Sequence, residues 1–220
     1  WSWVLLGLVM YVAAGFGTLH LLGVAGQVRN LWERLALSWL VGLAVLSLLG
    51  LAVFLSGQSV RFLQTLVWAL VISTGGAVAA WRRRGSDGHP SLTVAVGRPL
   101  VVRLGLGLVI TFLLLAAWSG PGGFDQRMQW AYKARLVLVE SGPFGGSVFQ
   151  DADHVHFHPR YPLLVPVAAA TLGSAGGTFN ESAYLVLFPL TFAAAAVMLA
   201  GGLRRCLLYT SDAADEGLGV

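Results

Sequence analysis

Charge is scarce in this chain. Only 11% of its 220 residues are Asp, Glu, Lys or Arg, while 56% are hydrophobic. Soluble domains carry about 25% charged residues. A soluble protein of this size could not hide so much apolar surface, whereas a bilayer removes the need to hide it. Cysteine is nearly missing: Cys206 stands alone, which rules out an internal disulfide framework. Lysine is as rare, since all but one of the fourteen basic residues are arginine and Lys133 is the exception. The formal charge of +4 therefore bears on membrane topology and not on a nucleic-acid partner.

The ends are unusual. The chain opens at Trp1 inside an apolar run, without the basic n-region of a signal peptide. Residues 206–220, beginning Cys206-Leu207-Leu208-Tyr209-Thr210-Ser211, resemble a translated sequencing adapter. The expectation is that the natural chain departs from this one after Arg205 and is longer, so that the fragment alone is inactive. Without that tail the acids fall from ten to seven and the net charge becomes 14 − 7 = +7.

Apolar runs at 3–25, 35–56, 62–81 and about 99–118 are each about 20 residues long. At about 1.5 Å per residue that covers the roughly 30 Å of a hydrocarbon core. Residues 1–118 are thus expected to form four transmembrane helices. Gly42, Gly50, Gly75, Gly76, Gly105 and Gly107 lie inside these runs, where small residues let helices approach closely. Arg82, Arg83 and Arg84, with Arg29 and Arg34, mark the cytoplasmic side, leaving 57–61 and the stretch after Trp118 outside. Trp81 and Trp118 fall at the expected boundaries, where indoles prefer to lie. Residues 161–205 hold one or two further membrane helices. If 161–176 crosses fully, Arg204 and Arg205 end outside; if it is re-entrant or interfacial, they end inside. The fold class is an all-α integral membrane protein, a polytopic helical bundle of about five to six spans.

Polar chemistry gathers in 119–160, the expected extracytoplasmic loop. It holds Asp125, Glu140, Asp151, Asp153, His154, His156, His158 and Lys133. Gln126 to Glu140 has helical periodicity. Met128, Tyr132, Leu136 and Val139 make an apolar stripe, and Asp125, Gln129 and Lys133 a polar one. Such a helix would lie on the membrane surface with its apolar side in the headgroup layer. Asp125 reads first as its N-cap, and the sharper reading, compatible with that, is a general base. In Asp151–Pro159, Asp151 and Asp153 and then His154, His156 and His158 recur at every second position. In an extended segment the three histidines share a face, which suits a divalent metal or an acceptor contact, or simply a solvated loop near lipid headgroups.

Two blocks carry a resemblance. Phe124-Asp125-Gln126-Arg127-Met128-Gln129-Trp130-Ala131-Tyr132-Lys133-Ala134-Arg135-Leu136 and His158-Pro159-Arg160-Tyr161-Pro162-Leu163-Leu164-Val165-Pro166 resemble motifs of bacterial GT-C glycosyltransferases related to the protein O-mannosyltransferase and aminoarabinose transferase families. The likeness covers roughly residues 110–205. It departs from the better-known branches in placing four spans ahead of the aspartate, and in Arg160, where many relatives carry an acid.

The resemblance implies an inverting enzyme that moves a sugar from a polyprenyl-phosphate donor to an acceptor, outside the plasma membrane of a bacterium. Asp125 would serve as base, and Lys133, Arg127 and Arg160 would meet the donor phosphate, since a phosphate leaving group needs cations. For Lys133 the alternative is snorkelling from an interfacial helix. No cofactor is required by this reading, and a divalent metal stays open. The partners are the lipid-linked donor and membrane lipids, with no nucleic acid. Two other readings remain: an O-antigen ligase or polymerase-like enzyme, in which His154 to His158 would matter more, and a multi-pass transporter or flippase subunit. Transporters usually place ionisable groups within spans, and Arg103 is the one such residue here.

Overall fold

A computed structural model describes residues 2–28, 30–83, 99–119, 123, 125–144, 148–151, 153 and 162–216. The described residues are helical and contain no strand. In chain order the helices are α1 (Ser2–Leu21), α2 (Leu31–Leu55), α3 (Phe62–Arg83), α4 (Pro99–Ser119), α5 (Tyr132–Val139), α6 (Leu164–Gly173), α7 (Glu181–Leu185) and α8 (Leu187–Glu216). A single wide turn, Gln126–Ala131, leads directly into α5. Among the described residues four stretches are long and apolar enough to cross a membrane: α1, α2, α3 and Glu181–Leu203. Each carries large apolar side chains on its outer surface, for example Val9, Leu48, Val71 and Phe192. Such faces are costly in water and natural in lipid.

The centre is built by close backbone approach. α1 packs along both α2 and α3. A Cβ on Gly15 would fall 1.7 Å from the Ser38 carbonyl oxygen, and one on Gly42 would fall 1.8 Å from that of Tyr11. Gly17 and Gly76 bring α1 and α3 together in the same way. Without a hydrophobic drive between helices in lipid, dispersion contact at small residues holds such helices together. The expected glycines divide accordingly. Gly42, Gly50 and Gly76 sit at contacts, whereas Gly105 and Gly107 have nothing within 4 Å of a built Cβ.

The two ends of the bundle differ in charge. At one end the Arg83 guanidinium donates to the carbonyl oxygens of His20 (2.6 Å) and Leu21 (3.3 Å), satisfying the last carbonyls of α1. Arg34 donates to the Ala25 carbonyl (2.7 Å) and stands over the Phe16 ring. Arg205, far along α8, pairs with the largely buried Glu33 at 2.5 Å. Arg34, Arg83 and Arg205 therefore share one end. At the opposite end the turn after α2 meets the turn after α5. Val60 N–H donates to the Val137 carbonyl (3.1 Å), and Phe54 meets the Phe149 ring edge-on. Gly142, at φ +100°, lies against Gly57, and a Cβ on it would sit 2.8 Å from the Phe54 carbonyl oxygen. No other residue type fits both the left-handed backbone and that space.

In the segment 161–176, for which the sequence left two alternatives open, the helix α6 is short. Its 10 residues span about 15 Å, half a membrane. Tyr11, midway along α1, donates to the Ala168 carbonyl (3.3 Å). Leu172 reaches Gly7, and Trp3 lies beside Gly176. α6 therefore starts alongside the middle of α1 and runs toward the end that carries α5. It is buried along nearly its whole length. The helix that follows carries Arg205 to Glu33, at the arginine end. Val186 separates α7 from α8, and Pro189 gives the reason: it has no N–H for the Leu185 carbonyl.

Candidate functional site

The helix that opens at Asp125 packs along α6. Its first turn is wide, with the Tyr132 N–H donating to the carbonyl of Arg127, five residues back. Such turns shift the register of every residue that follows, and they recur at functional sites. The shift matters for the stripes read from sequence. Gln129 is 4% exposed and Lys133 0%, whereas Val139 is 73% exposed. Gln129 and Lys133, expected on a polar stripe with Asp125, are thus buried in the protein, and the helix packs along α6. This helix is buried on more than one side: Ala131, Ala134 and Val137 are also covered.

Asp125 itself is exposed. Its backbone is already helical (φ −59°, ψ −39°), and its side chain makes no capping hydrogen bond. An N-cap residue normally has extended dihedrals and accepts from the first N–H groups, so Asp125 is not acting as a cap. Its carboxylate lines a cleft of about 350 Å³ together with Trp130, Tyr184 and Phe188. Tyr184 and Phe188 lie four apart across the α7–α8 break and meet edge-on at 6.3 Å. α7 is held in place by Asn180, whose Oδ1 accepts from the N–H groups of Ser182 and Ala183.

Compared with protein-family models, with characterised proteins and with solved structures, this chain matches none.

The remaining sequence-derived candidates are dispersed. Lys133 does not line the Asp125 cleft, and burial pushes its ammonium down to about 8, since a low-dielectric setting disfavours the charged form. Arg127 is exposed on the wide turn, close in sequence to Asp125. Asp153 is exposed, and its N–H donates to the Asp151 carboxylate at 2.9 Å. His154, His156, His158 and Arg160 lie outside the described residues. Among the described residues no three His, Cys, Asp or Glu side chains converge on a point that could hold a metal.

Two features escaped the sequence reading. The aromatic wall of Tyr184 and Phe188 comes from α7 and α8, some sixty residues beyond Asp125. Arg135 is paired with Glu181 at 2.5 Å, with its guanidinium 5.6 Å over the Phe179 ring. The spacing of Phe179, Tyr184 and Phe188 beside Asn180-Glu181, a capped helix start with an aromatic face, was the available signal.

Proposed function

We propose that this chain is part of a bacterial membrane glycosyltransferase of the GT-C type, taking a sugar from a polyprenyl-phosphate donor. The observation that carries the reading is Asp125: a carboxylate free of any capping role, set among aromatic rings, at the end of the bundle remote from Arg34, Arg83 and Arg205. By the positive-inside rule the arginine end is cytoplasmic and Asp125 faces outward, where lipid-linked sugars are consumed. Flat aromatic faces suit the apolar faces of a sugar ring, and an aromatic cleft at the membrane surface admits a substrate carried on a lipid.

In this mechanism Asp125 accepts the proton of the acceptor hydroxyl as that oxygen attacks the anomeric carbon. The bond from that carbon to the phosphate oxygen breaks on the opposite face, and the lipid phosphate leaves with the electron pair. Configuration inverts. Arg127 is the exposed cation nearest in sequence for the departing phosphate, and the resemblance adds Arg160, which lies outside the described residues. Lys133, held away from solvent, would meet a phosphate only if the donor entered the packed layer behind the helix.

The test is sugar transfer in membranes from radiolabelled polyprenyl-phosphate sugars, comparing wild type with Asp125→Asn. Asn cannot take the proton, so transfer should fall by about 10²–10⁴. Asp125 is exposed and makes no capping bond, so stability should change by less than about 0.5 kcal/mol. Undiminished transfer by a folded Asp125→Asn protein would end this reading and bring the ligase and transporter alternatives forward.

A further inference from the structure

A second recess lies at the same end of the bundle, separated from the Asp125 cleft by an aromatic layer. It has a volume of about 430 Å³, and its walls include Phe62, Leu138, Val139 and Phe179, with Arg61 and Arg135 at its edges. Phe179 faces this recess and Tyr184 the Asp125 cleft. The two rings stack at 6.3 Å and 18°, so the recesses share a wall but not a space. The Val60 N–H bond to the Val137 carbonyl ties the start of α3 to α5 and fixes the width of the groove.

Its electrostatics are specific. Arg135 is oriented from two sides, by the Glu181 carboxylate and by the Phe179 ring. A guanidinium has five donors in a planar fork, so one carboxylate contact leaves donors to spare. Arg61 is exposed and has no acidic partner among the described residues. It immediately precedes α3, whose N-terminus adds partial positive charge. Two arginines against one glutamate leave the groove one charge positive. Apolar walls beneath two guanidinium groups, at the level where the α3 span begins, match an anionic phospholipid: phosphate between the cations and glycerol and upper acyl carbons against Phe62, Leu138 and Val139. A small soluble anion would leave those apolar walls unused.

We propose that this groove is a binding site for the headgroup of an anionic membrane phospholipid, with Arg61 and Arg135 as the phosphate contacts. The proposal does not depend on the sugar-transfer reading and survives its failure.

The experiment is native mass spectrometry of the delipidated full chain, titrated with phosphatidylglycerol or phosphatidylcholine of matched acyl length. Phosphatidylglycerol should bind more tightly to wild type, by several-fold. Arg61→Gln should weaken it about fivefold, the scale of one basic residue at a lipid surface, with phosphatidylcholine binding unaltered. Arg61→Glu should weaken it further. Arg61 is exposed and its side chain packs nothing into the core, so both variants should fold, and a thermal melt verifies this. The proposal is overturned if Arg61→Gln binds phosphatidylglycerol as wild type does, or if the two lipids bind wild type equally. It is overturned as well if millimolar inorganic phosphate displaces the lipid, which would make this a soluble-anion site. It also falls if polyprenyl phosphate binds more tightly than phosphatidylglycerol with a steeper dependence on Arg61, which would make the groove the donor's own site.

Discussion

The crossing of α1 and α2 offers the sharpest quantitative test. Gly42 lies so close to α1 that an added Cβ would stand 1.8 Å from the Tyr11 carbonyl oxygen, while ordinary contact begins at 3.4 Å. Gly42→Ala therefore demands about 1.6 Å more room (3.4 − 1.8). The obstacle is backbone, which cannot rotate aside as a side chain can. Overpacking against a rigid neighbour costs up to about 3 kcal/mol. The better helix propensity of alanine returns about 1 kcal/mol, for a net loss of about 2 kcal/mol. Gly105→Ala is the matched control. A Cβ there meets nothing within 4 Å, so only the propensity gain of about 1 kcal/mol remains. The two variants should then differ by about 3 kcal/mol, more than a hundredfold in the unfolding equilibrium. Reversible unfolding in mixed micelles, followed by tryptophan fluorescence or steric trapping, reads the difference directly. If Gly42→Ala proves as stable as Gly105→Ala, α1 and α2 do not cross at Gly15 and Gly42, and the packing is wrong at its centre.

Two more predictions concern charge and topology. Lys133 has its ammonium held near 8 in the folded protein against about 10.4 unfolded. A depressed lysine value means the unfolded chain binds the proton more readily, so its penalty is full below pH 8, shrinks as pH rises to about 10, and is gone above that. Stability should therefore rise between pH 8 and 10, and this part of the rise should vanish in Lys133→Met; an unchanged pH slope in that variant would remove Lys133 as its source. Because Lys133 is the only lysine, its titration can also be followed by selective isotope labelling without overlap. In a Cys206→Ser background, cysteines at positions 83 and 205 should react with a membrane-impermeant maleimide from one side of the membrane, and a cysteine at Ser141 from the other. Labelling of 83 and 205 from opposite sides would mean that α6 completes a crossing after all.

Much of this protein was legible in its sequence because lipid is a simple solvent. A long apolar run must become a helix, since no other local structure satisfies its backbone in hydrocarbon, and α1, α2, α3 and the 183–203 span lie where length and hydropathy placed them. Trp81 and Trp118, expected at span ends, are strongly exposed near the ends of α3 and α4. The helical segment that follows Asp125 was legible too, from its periodicity. The fate of the segment 161–176 was not. Its apolar length fitted a crossing or a half-crossing, and only the contacts of α6 with Tyr11, Gly7 and Gly50 place it against α1 and α2. The faces of the 126–139 helix were also beyond reach. Periodicity assumes a constant 3.6 residues per turn, and one wide turn at 126–131 rotates everything after it, carrying Lys133 inward. The sequence alone determined which stretches are helices and where the charges fall along them, because those follow from solvation of each residue in turn. Tertiary structure decided which charges meet. Arg205 finds Glu33, Arg135 finds Glu181, and Asp125 finds an aromatic wall about sixty residues away, because such contacts depend on how helices cross, and a crossing is set by two surfaces at once.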